Sequence, residues 1–230
     1  NSIPHNTHVD GNFLVTSWYR DGTTVHDISN PNSLVQVAYY DSYSGSGNGF
    51  DGCWGTYPFL SSGNIISSDR NSYNGKGILN IYGRAFQQAC YLQGNITDCI
   101  TNLPISDALI QIINTNIVDS SNLIGEYQTA IIDSGFYQVV CSALGYENDT
   151  MFINVDNGVM TTQDIVLCPP CSTLNLATSL TYSICLGDTI FVGGSAYSSS
   201  GSYVDTLLTS YGCDSIVNTD VLMLDTTSNT

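Results

Sequence analysis

Tight-turn signals recur along this chain at intervals too short for helices of ordinary length. The turns Asp10-Gly11-Asn12, Arg20-Asp21-Gly22 and Asn30-Pro31 each follow a short stretch rich in β-branched and aromatic residues. Gly, Asn, Asp and Pro favour tight turns, whereas β-branched and aromatic side chains favour strands. Gly (21) and Tyr (15) are plentiful, and charged residues make up only 10% of the chain. The pattern predicts an all-β protein with little helix.

Residues 1–86 predict two successive antiparallel sheets. The first sheet has four predicted strands: His5–Asp10, Phe13–Tyr19, Thr23–Ile28 and Leu34–Tyr40. The second has only three: Cys53–Leu60, Asn64–Asp69 and Gly77–Tyr82. Four antiparallel strands joined by tight turns are typical of a β-propeller blade. We therefore expect 1–86 to form about two blades, the last of a partial β-propeller. The expected donor of the missing strand is a segment upstream of the chain.

Two further modules follow, with predicted boundaries at 87–167 and 168–230. Apolar residues alternate with period two over Ala108–Ile112 and Met151–Val155, which predicts strands with one buried face. Short strands and turns continue to Leu224. Asp225–Thr230 is polar and is expected to be a linker that runs onward. The predicted fold class is all-β, a partial β-propeller followed by two further β modules.

The charge balance excludes several classes of partner. The net charge is −16, and the cations are Arg20, Arg70, Lys76 and Arg84. A nucleic-acid or anionic-membrane surface requires clustered basic residues. The chain also has no apolar run of 18 residues that could span a membrane as a helix. We expect neither nucleic acid binding nor membrane insertion, and we expect other protein chains or modules of a surface assembly as partners, with a glycan or other surface ligand left open.

The histidines are the first candidates for chemistry. His5 and His8 resemble a metal pair, but residues three apart in a regular strand point to opposite faces. His5 stays a candidate metal ligand, and the favoured hypothesis is a histidine that is held by hydrogen bonds and binds no ion. His26 precedes Asp27, yet no G-x-S-x-G turn surrounds any serine. No catalytic or cofactor-binding residue is predicted, and the chain is not expected to be an enzyme.

Eight cysteines are compatible with an oxidising compartment. Cys168 and Cys171 have C-x-x-C spacing, but a redox site would need a helix start and a zinc site a second pair. Structural disulfides are the favoured hypothesis for both. Cys185 with Cys213 is the best supported bridge, and Cys90 with Cys99 is a second. Other pairings stay open, and Cys53 and Cys141 are expected to be free and buried.

Two weaker hypotheses concern ligands. Four acidic loop residues could bind calcium: Asp119, Asp149, Asp156 and Asp164. None has the spacing of an EF-hand loop, so the favoured hypothesis is that their carboxylates are solvated. Trp18, Trp54 and the tyrosines could stack on sugars, although aromatic residues in strands more often pack in cores or cross-strand pairs. No cofactor is therefore predicted.

Ordered motifs in 1–84 resemble the end of the bacterial choice-of-anchor B proteins, which are built of LVIVD-type β-propeller repeats. The motifs are Pro4-His5-Asn6-Thr7-His8-Val9, Asp27-Ile28-Ser29-Asn30-Pro31, Gly52-Cys53-Trp54-Gly55-Thr56-Tyr57-Pro58 and Ser62-Gly63-Asn64-Ile65-Ile66-Ser67-Ser68-Asp69. The resemblance implies an extracellular, modular protein. It also implies that His5 lies on an innermost strand facing the central channel.

The later modules resemble two other families. Gly94-Asn95-Ile96-Thr97-Asp98 and Asp133-Ser134-Gly135-Phe136-Tyr137 look like the carboxypeptidase regulatory-like domain, a prealbumin-type sandwich without catalytic residues. Ile184-Cys185-Leu186-Gly187-Asp188 and Gly212-Cys213-Asp214-Ser215 resemble Ig-like repeats of large secreted Bacteroidetes proteins, often found upstream of a type IX secretion sorting domain. These resemblances imply that the two later modules are β-sandwiches, prealbumin-like and Ig-like, and that the protein is secreted to the cell surface.

Taken together, the sequence predicts a non-enzymatic segment of an extracellular modular protein that serves in cell-surface adhesion or as a structural component of an appendage. The alternative is an accessory spacer of a secreted hydrolase whose catalytic domain lies outside this chain.

Overall fold

The prediction of an all-β protein is confirmed by the computed structural model, which describes residues 3–45 and 47–224. The expected linker Asp225–Thr230 lies outside the described residues. The only helical element in the described ranges is a single 3₁₀ turn at Cys171–Thr173. The strands are β1 (Pro4–Asp10), β2 (Phe13–Trp18), β3 (Gly22–Asp27), β4 (Val35–Tyr40), β5 (Gly52–Tyr57), β6 (Ile65–Tyr73), β7 (Lys76–Tyr82), β8 (Cys90–Asp98), β9 (Leu109–Ile112), β10 (Val118–Ser120), β11 (Glu126–Ile131), β12 (Gly135–Ser142), β13 (Asp149–Val155), β14 (Met160–Thr162), β15 (Ile165–Leu167), β16 (Ala177–Cys185), β17 (Ile190–Val192), β18 (Ser195–Tyr197), β19 (Gly201–Leu208) and β20 (Asp214–Leu224).

The chain divides into two compact units. The first comprises 1–96, 104–141 and 149–165, and the second comprises 97–103, 142–148 and the described part of 166–230. None of the described sheets mixes strands from the three predicted modules. The predicted module boundaries themselves stay predictions.

The first unit begins with the two sheets that the turn pattern predicts. Strands β1 to β4 form a four-stranded antiparallel sheet in sequence order, and β5 to β7 form a three-stranded one. The β1–β2 turn contains Gly11 with a φ of 60°, and the β6–β7 turn contains Asn74 and Gly75 at 48° and 73°. These left-handed conformations are tolerated best by Gly and Asn. Neither sheet closes on itself, and a complete propeller is not formed by the described residues.

The two sheets pack against each other through an apolar and a polar layer. Val15, Val25 and Ile65 form the buried apolar cluster. Beside it, the hydroxyl of Thr23 lies 2.7 Å from that of Ser67, and Ser67 donates to the hydroxyl of Thr56 at 3.2 Å. Buried hydroxyls that bond one another avoid the cost of an unpaired polar group. The sheets are therefore held together by both kinds of contact.

Gly52 stands where the chain passes from the first sheet into the second. Its φ is 89°, and a Cβ atom at this position would overlap the carbonyl oxygen of Tyr19. That oxygen accepts a hydrogen bond from the N–H of Cys53 at 2.7 Å. A glycine is required because of both the left-handed backbone and the close approach.

The rest of the first unit contains two further sheets. Their strand orders are β10–β9–β12–β13 and β11–β8–β14. Buried or half-buried residues alternate with exposed ones along β9 and β13, which confirms the period-two pattern predicted over Ala108–Ile112 and Met151–Val155. The hydroxyl of Tyr127 donates to the carbonyl oxygen of Gln163 at 2.6 Å, and Gly94 leaves room for the Tyr127 ring. Fully buried side chains from both sheets form the core: Leu92, Ile96, Ile110, Ile112, Val139 and Ile165.

The second unit is built around a three-stranded sheet of order β16–β20–β19, with a separate β17–β18 hairpin. Strands β16 and β20 are parallel, and Ala177 is opposite Ile216 while Cys185 is opposite Leu224. Strand β19 pairs with β20 in the antiparallel sense. The parallel register of β16 and β20 determines which cysteines lie close enough to form a disulfide.

The disulfides of the second unit correct both predicted pairings. Cys171 bonds Cys213, and Cys99 bonds Cys168. The predicted Cys185–Cys213 bridge is wrong. The parallel register places Cys185 beside Leu224, at the C-terminal end of β20, whereas Cys213 directly precedes the N-terminal end of that strand. Cys171 precedes β16 at the same end of the sheet as Cys213, with Cα atoms 5.5 Å apart. Cys185 is an exposed free thiol.

The predicted Cys90–Cys99 bridge is also wrong. Cys90 begins β8 and Cys99 directly follows it, and nine extended residues span roughly 30 Å. A disulfide requires Cα atoms about 4.4–6.8 Å apart. Cys99 instead lies beside Cys168, since its N–H donates to the carbonyl oxygen of Leu167 at 3.0 Å. Both cysteines of the C-x-x-C motif are therefore bonded, each to a partner elsewhere in the chain.

Candidate functional site

The histidines of β1 lie on a surface rich in aromatic residues. The ring of His5 lies 4.6 Å from that of Trp54 and 5.4 Å from that of Tyr19. The ring of His8 lies 5.5 Å from Phe59 and 6.4 Å from Tyr57. Each histidine thus has a different set of ring neighbours, all from the segment around β5 or the end of β2.

We call the exposed rings Phe50, Trp54, Tyr57 and Phe59 the aromatic surface. Each is between 45% and 59% exposed. Its position follows from β5, whose Cys53 and Thr56 face the first sheet while Trp54 and Tyr57 face away. The guanidinium carbon of Arg70 lies 5.3 Å from the Trp54 ring centre, within cation–π range. The surface can offer apolar and cation–π contacts to a partner.

Asn6 ties the aromatic surface to the sheet packing beneath it. Its side-chain oxygen accepts hydrogen bonds from the Ser17 hydroxyl at 2.5 Å and from the Thr56 N–H at 3.2 Å. Its amide nitrogen lies 3.3 Å from Nε2 of His8. Strand β1 is therefore fixed to both β2 and β5. The structural role of Asn6 was missed from the sequence because it depends on the contact between two sheets.

The candidate metal ligand His5 is not joined by other ligands. In residues 3–45 and 47–224, no group of three or more His, Cys, Asp or Glu side chains is placed to hold an ion. The candidate calcium residues are spread over separate elements. Asp164 accepts the N–H of Asn95 at 2.8 Å, Asp156 accepts the side-chain amide of Asn154 at 3.3 Å, and Asp119 accepts the N–H of Ser120 at 2.8 Å. Asp149 lies at the start of β13.

His26 and Asp27 are neighbours in β3, but Asp27 is used to hold the fold. Its two carboxylate oxygens accept the N–H groups of Ser29 at 2.9 Å and Ala89 at 2.8 Å. Burial raises the pKa of Asp27, but hydrogen bonds from the Ser29 side chain and from these N–H groups together lower it by more, so that the net shift is downward. Burial lowers the pKa of His26. This arrangement keeps Asp27 ionised and bonded to the backbone.

Trp18 and Trp54 differ in what they offer to a ligand. The indole N–H of Trp18 donates to the Thr24 hydroxyl at 2.9 Å, which satisfies the polar group of this half-buried ring. Trp54 is more exposed and lies between other rings and Arg70. Trp18 thus fits the cross-strand contact that was favoured from the sequence, and Trp54 belongs to the exposed surface.

A second feature was not anticipated at residue level. An apolar groove of about 450 Å³ is lined by β3, β4, the last residue of β7 and the segment that follows it, and we call it the β4 groove. Its apolar wall includes Val25, Val37, Ala38, Ile65 and Phe86. The rings of Tyr40 and Tyr82 lie 5.1 Å apart at its rim, and burial raises the pKa of Tyr82 to about 12. Its walls come from strands that are far apart in sequence, so no local pattern in the sequence points to it.

Comparisons with known proteins add little to this geometry. No family model matches the chain, and no curated protein matches it. Among similar solved structures are a minor pilin of Streptococcus agalactiae (10% identity, TM-score 0.32, 68% of both chains) and the TIE protein of Bacillus anthracis (10%, 0.32, 94% of this chain and 46% of that chain). A third is a pilus backbone protein of group B streptococcus (9%, 0.29, 73% and 81%). TM-scores this low do not establish a shared fold, so nothing about partners or activity is taken from these structures.

No helix in the described part of the chain is both long and apolar enough to cross a membrane.

Proposed function

We propose that this chain is a non-enzymatic structural or adhesive segment of a protein displayed outside the cell. The observation that carries the proposal is the aromatic surface, where four large rings stay 45–59% exposed on one region of β5 and its flanks. Phe50 and Trp54 are grouped around Tyr19, and Tyr57 lies against Phe59; grouped exposed apolar side chains of this kind mark sites of interaction with other molecules. Aromatic residues are also enriched in protein–protein interfaces. The partner class is therefore another protein chain or module.

The extracellular part of the proposal rests on the disulfides. Cys99–Cys168 and Cys171–Cys213 close loops in the second unit, and such bonds persist in oxidising compartments. The scarcity of Lys and Arg adds support, because it disfavours nucleic acid as a partner.

We further propose that the sheets β1–β4 and β5–β7 are two blades of an LVIVD-type propeller. The carboxypeptidase regulatory-like and Ig-like modules are proposed for 87–167 and 168–230, and type IX secretion in a member of the Bacteroidetes for the whole protein. The four- and three-stranded meanders in sequence order support the blade hypothesis. The motifs quoted above support the other two modules.

Antibody labelling of intact cells of the source organism tests this function. We expect unpermeabilised cells to be labelled. Replacing the chromosomal copy by a Trp54→Ser, Tyr57→Ser, Phe59→Ser variant should release most of the protein into the medium. Leu123→Ser, at an exposed apolar residue outside the aromatic surface, is the control and should stay attached. Labelling only after permeabilisation would contradict surface display, and full retention of the triple variant would contradict a role for the aromatic surface.

A further inference from the structure

A polar pocket of about 470 Å³ is lined by the β11–β8–β14 sheet and by the loop between β3 and β4. Residues that are paired across neighbouring strands share a face of the sheet. The register therefore places Gln128 of β11, Gln93 of β8 and Thr162 of β14 in one row on the same face. Asn95 and Glu126 form the next row. All five line the pocket, so that its floor consists of polar side chains from three strands.

The loop between β3 and β4 supplies one wall of the pocket through Asn32. Asn30 shapes this loop, because its side-chain oxygen accepts the N–H of Asn32 at 3.1 Å. Asp27 fixes the loop beside the start of β8, since its carboxylate accepts the N–H groups of Ser29 and Ala89. The pocket is therefore held by the first sheet as well as by the strands of its floor.

Several side chains of the pocket have hydrogen-bonding capacity that the described chain does not use. The side chains of Asn32, Gln93 and Thr162 make no hydrogen bond to another described residue. The side-chain nitrogen of Gln128 lies 4.0 Å from the sulfur of Met160, a weak acceptor. A carboxamide has donors and an acceptor in one plane, and a hydroxyl is both donor and acceptor. A ligand with several donors and acceptors of its own can pair with these groups.

Glu126 gives the pocket an oriented acceptor. The side-chain nitrogen of Asn122 donates to its carboxylate at 3.0 Å, and the side-chain oxygen of Asn122 accepts its N–H at 3.0 Å. Of the described residues that line the pocket, Glu126 alone carries a charge. An anion would be repelled by this carboxylate, and a metal ion would require further carboxylates. An apolar ligand would leave the buried polar groups without partners.

We propose that this pocket binds an uncharged sugar. Adjacent hydroxyl groups of a sugar ring donate and accept hydrogen bonds, and a carboxamide such as that of Gln93 can pair with both. The volume lies within the range of about 300–1,000 Å³ that is typical of small-molecule sites. A peptide is a poorer occupant, because the pocket spans the face of a sheet rather than an edge and its lining is neither apolar nor cationic. The site lies on a different sheet from the aromatic surface and does not rest on the proposed function.

An NMR titration of the full chain, labelled with nitrogen-15, tests the proposal. The probes are the methyl glycosides of glucose, galactose and mannose, each added up to about 20 mM, which is enough to detect a millimolar Kd. At least one glycoside should shift the side-chain NH₂ signals of Gln93 and Gln128. The methyl uronide of the sugar that binds best has the same ring with a carboxylate at C6. It should bind at least about threefold more weakly, because Glu126 repels it.

Two glutamine variants test whether the pocket is the site. Gln93→Leu removes the carboxamide from the floor and should weaken binding of the best glycoside about tenfold or more. Gln111→Leu makes the same change at an exposed position of β9, outside the pocket, and should bind like the wild type. Thermal unfolding of both variants checks that they fold, and the titration of the wild type stands without them.

Four results would each overturn the proposal. The first is that none of the three glycosides shifts the NH₂ signals of Gln93 and Gln128. The second is that the uronide binds as tightly as its parent glycoside, and the third is that Gln93→Leu and Gln111→Leu bind the glycoside equally well. The fourth is that N-acetylglycine N-methylamide, an uncharged peptide analogue, binds more tightly than every glycoside.

Discussion

The carboxylate of Asp27 links β3 to a segment 62 residues further along the chain. It is fully buried and accepts the N–H groups of Ser29 and Ala89. Asp27→Asn keeps the shape but turns an acceptor into a donor that faces an N–H group. We expect the free energy of unfolding at pH 7 to fall by about 1–3 kcal/mol, as for a buried group that loses its partner. Urea titration measures this loss.

The pH dependence of the same variant follows from the lowered pKa of Asp27. A carboxyl whose folded pKa lies below its unfolded value of about 3.9 stabilises the protein fully above that value. The contribution is lost as the pH falls through the folded pKa. The free energy of unfolding of the Asp27→Asn variant should therefore fall less steeply than that of the wild type as the pH is lowered through this range. Asp41→Asn, at an exposed turn that also accepts an N–H two residues on, is the control and should change stability little. Equal losses of unfolding free energy in Asp27→Asn and Asp41→Asn would contradict the view that burial makes the Asp27 hydrogen bonds important.

The free thiols differ in access. Cys53, Cys90 and Cys141 are buried and Cys185 is exposed. Burial raises the pKa of Cys141 to about 11, and the thiolate is the reactive form. Iodoacetamide at neutral pH should therefore modify Cys185 in the native protein and leave the other three intact, as read by mass spectrometry of peptides. Addition of urea should expose all four, and early modification of Cys141 in the native state would contradict its burial.

At the scale of strands, local chemistry was sufficient to place the first seven. Turn residues such as Gly11 and Gly75 and the alternation of apolar side chains mark where strands end and which face is buried. The pairing of cysteines was not predictable in this way. It depends on the parallel register of β16 and β20, whose partners are some forty residues apart in sequence. The aromatic surface and Asn6 were hidden for the same reason, since both depend on contacts between separate sheets.

The Cys171–Cys213 bond should stabilise the second unit. It joins residues 42 apart in sequence, and a closed loop of that size corresponds to about 4 kcal/mol in the chain-entropy account. Cys171→Ser should lower the free energy of unfolding of this unit by roughly 2–4 kcal/mol. Cys171 is exposed, so the substitution leaves no buried polar group.

Cys185→Ser is the matched control for that experiment. It removes an exposed thiol from the same unit without breaking a bond, and its thermal unfolding should match the wild type. Adding a reductant should lower the stability of the wild type at least as far as that of the Cys171→Ser variant, because it also breaks Cys99–Cys168. If Cys185→Ser were the more destabilising change, the pairing described above would be wrong.

Across the whole chain, charge is distributed unevenly. All four Lys and Arg residues lie between 20 and 84, while residues 85–230 carry fourteen Asp and Glu and no cation. Like charges repel within such a segment, and salt screens them over about 10 Å at 0.1 M. Raising NaCl from 0.02 to 0.5 M should therefore raise the unfolding temperature by about 3 °C or more. A decrease with salt would show that the few ion pairs, such as Arg20–Asp51, dominate instead.

The central proposal is that this all-β chain is held by two disulfides that form in an oxidising environment outside the cell. Mapping of disulfides in protein taken from source cells, with free thiols blocked at lysis, tests it most directly. The account predicts peptides that join Cys99 to Cys168 and Cys171 to Cys213, with Cys53, Cys90, Cys141 and Cys185 blocked as thiols. Eight blocked thiols, or a peptide that joins Cys185 to Cys213, would contradict it.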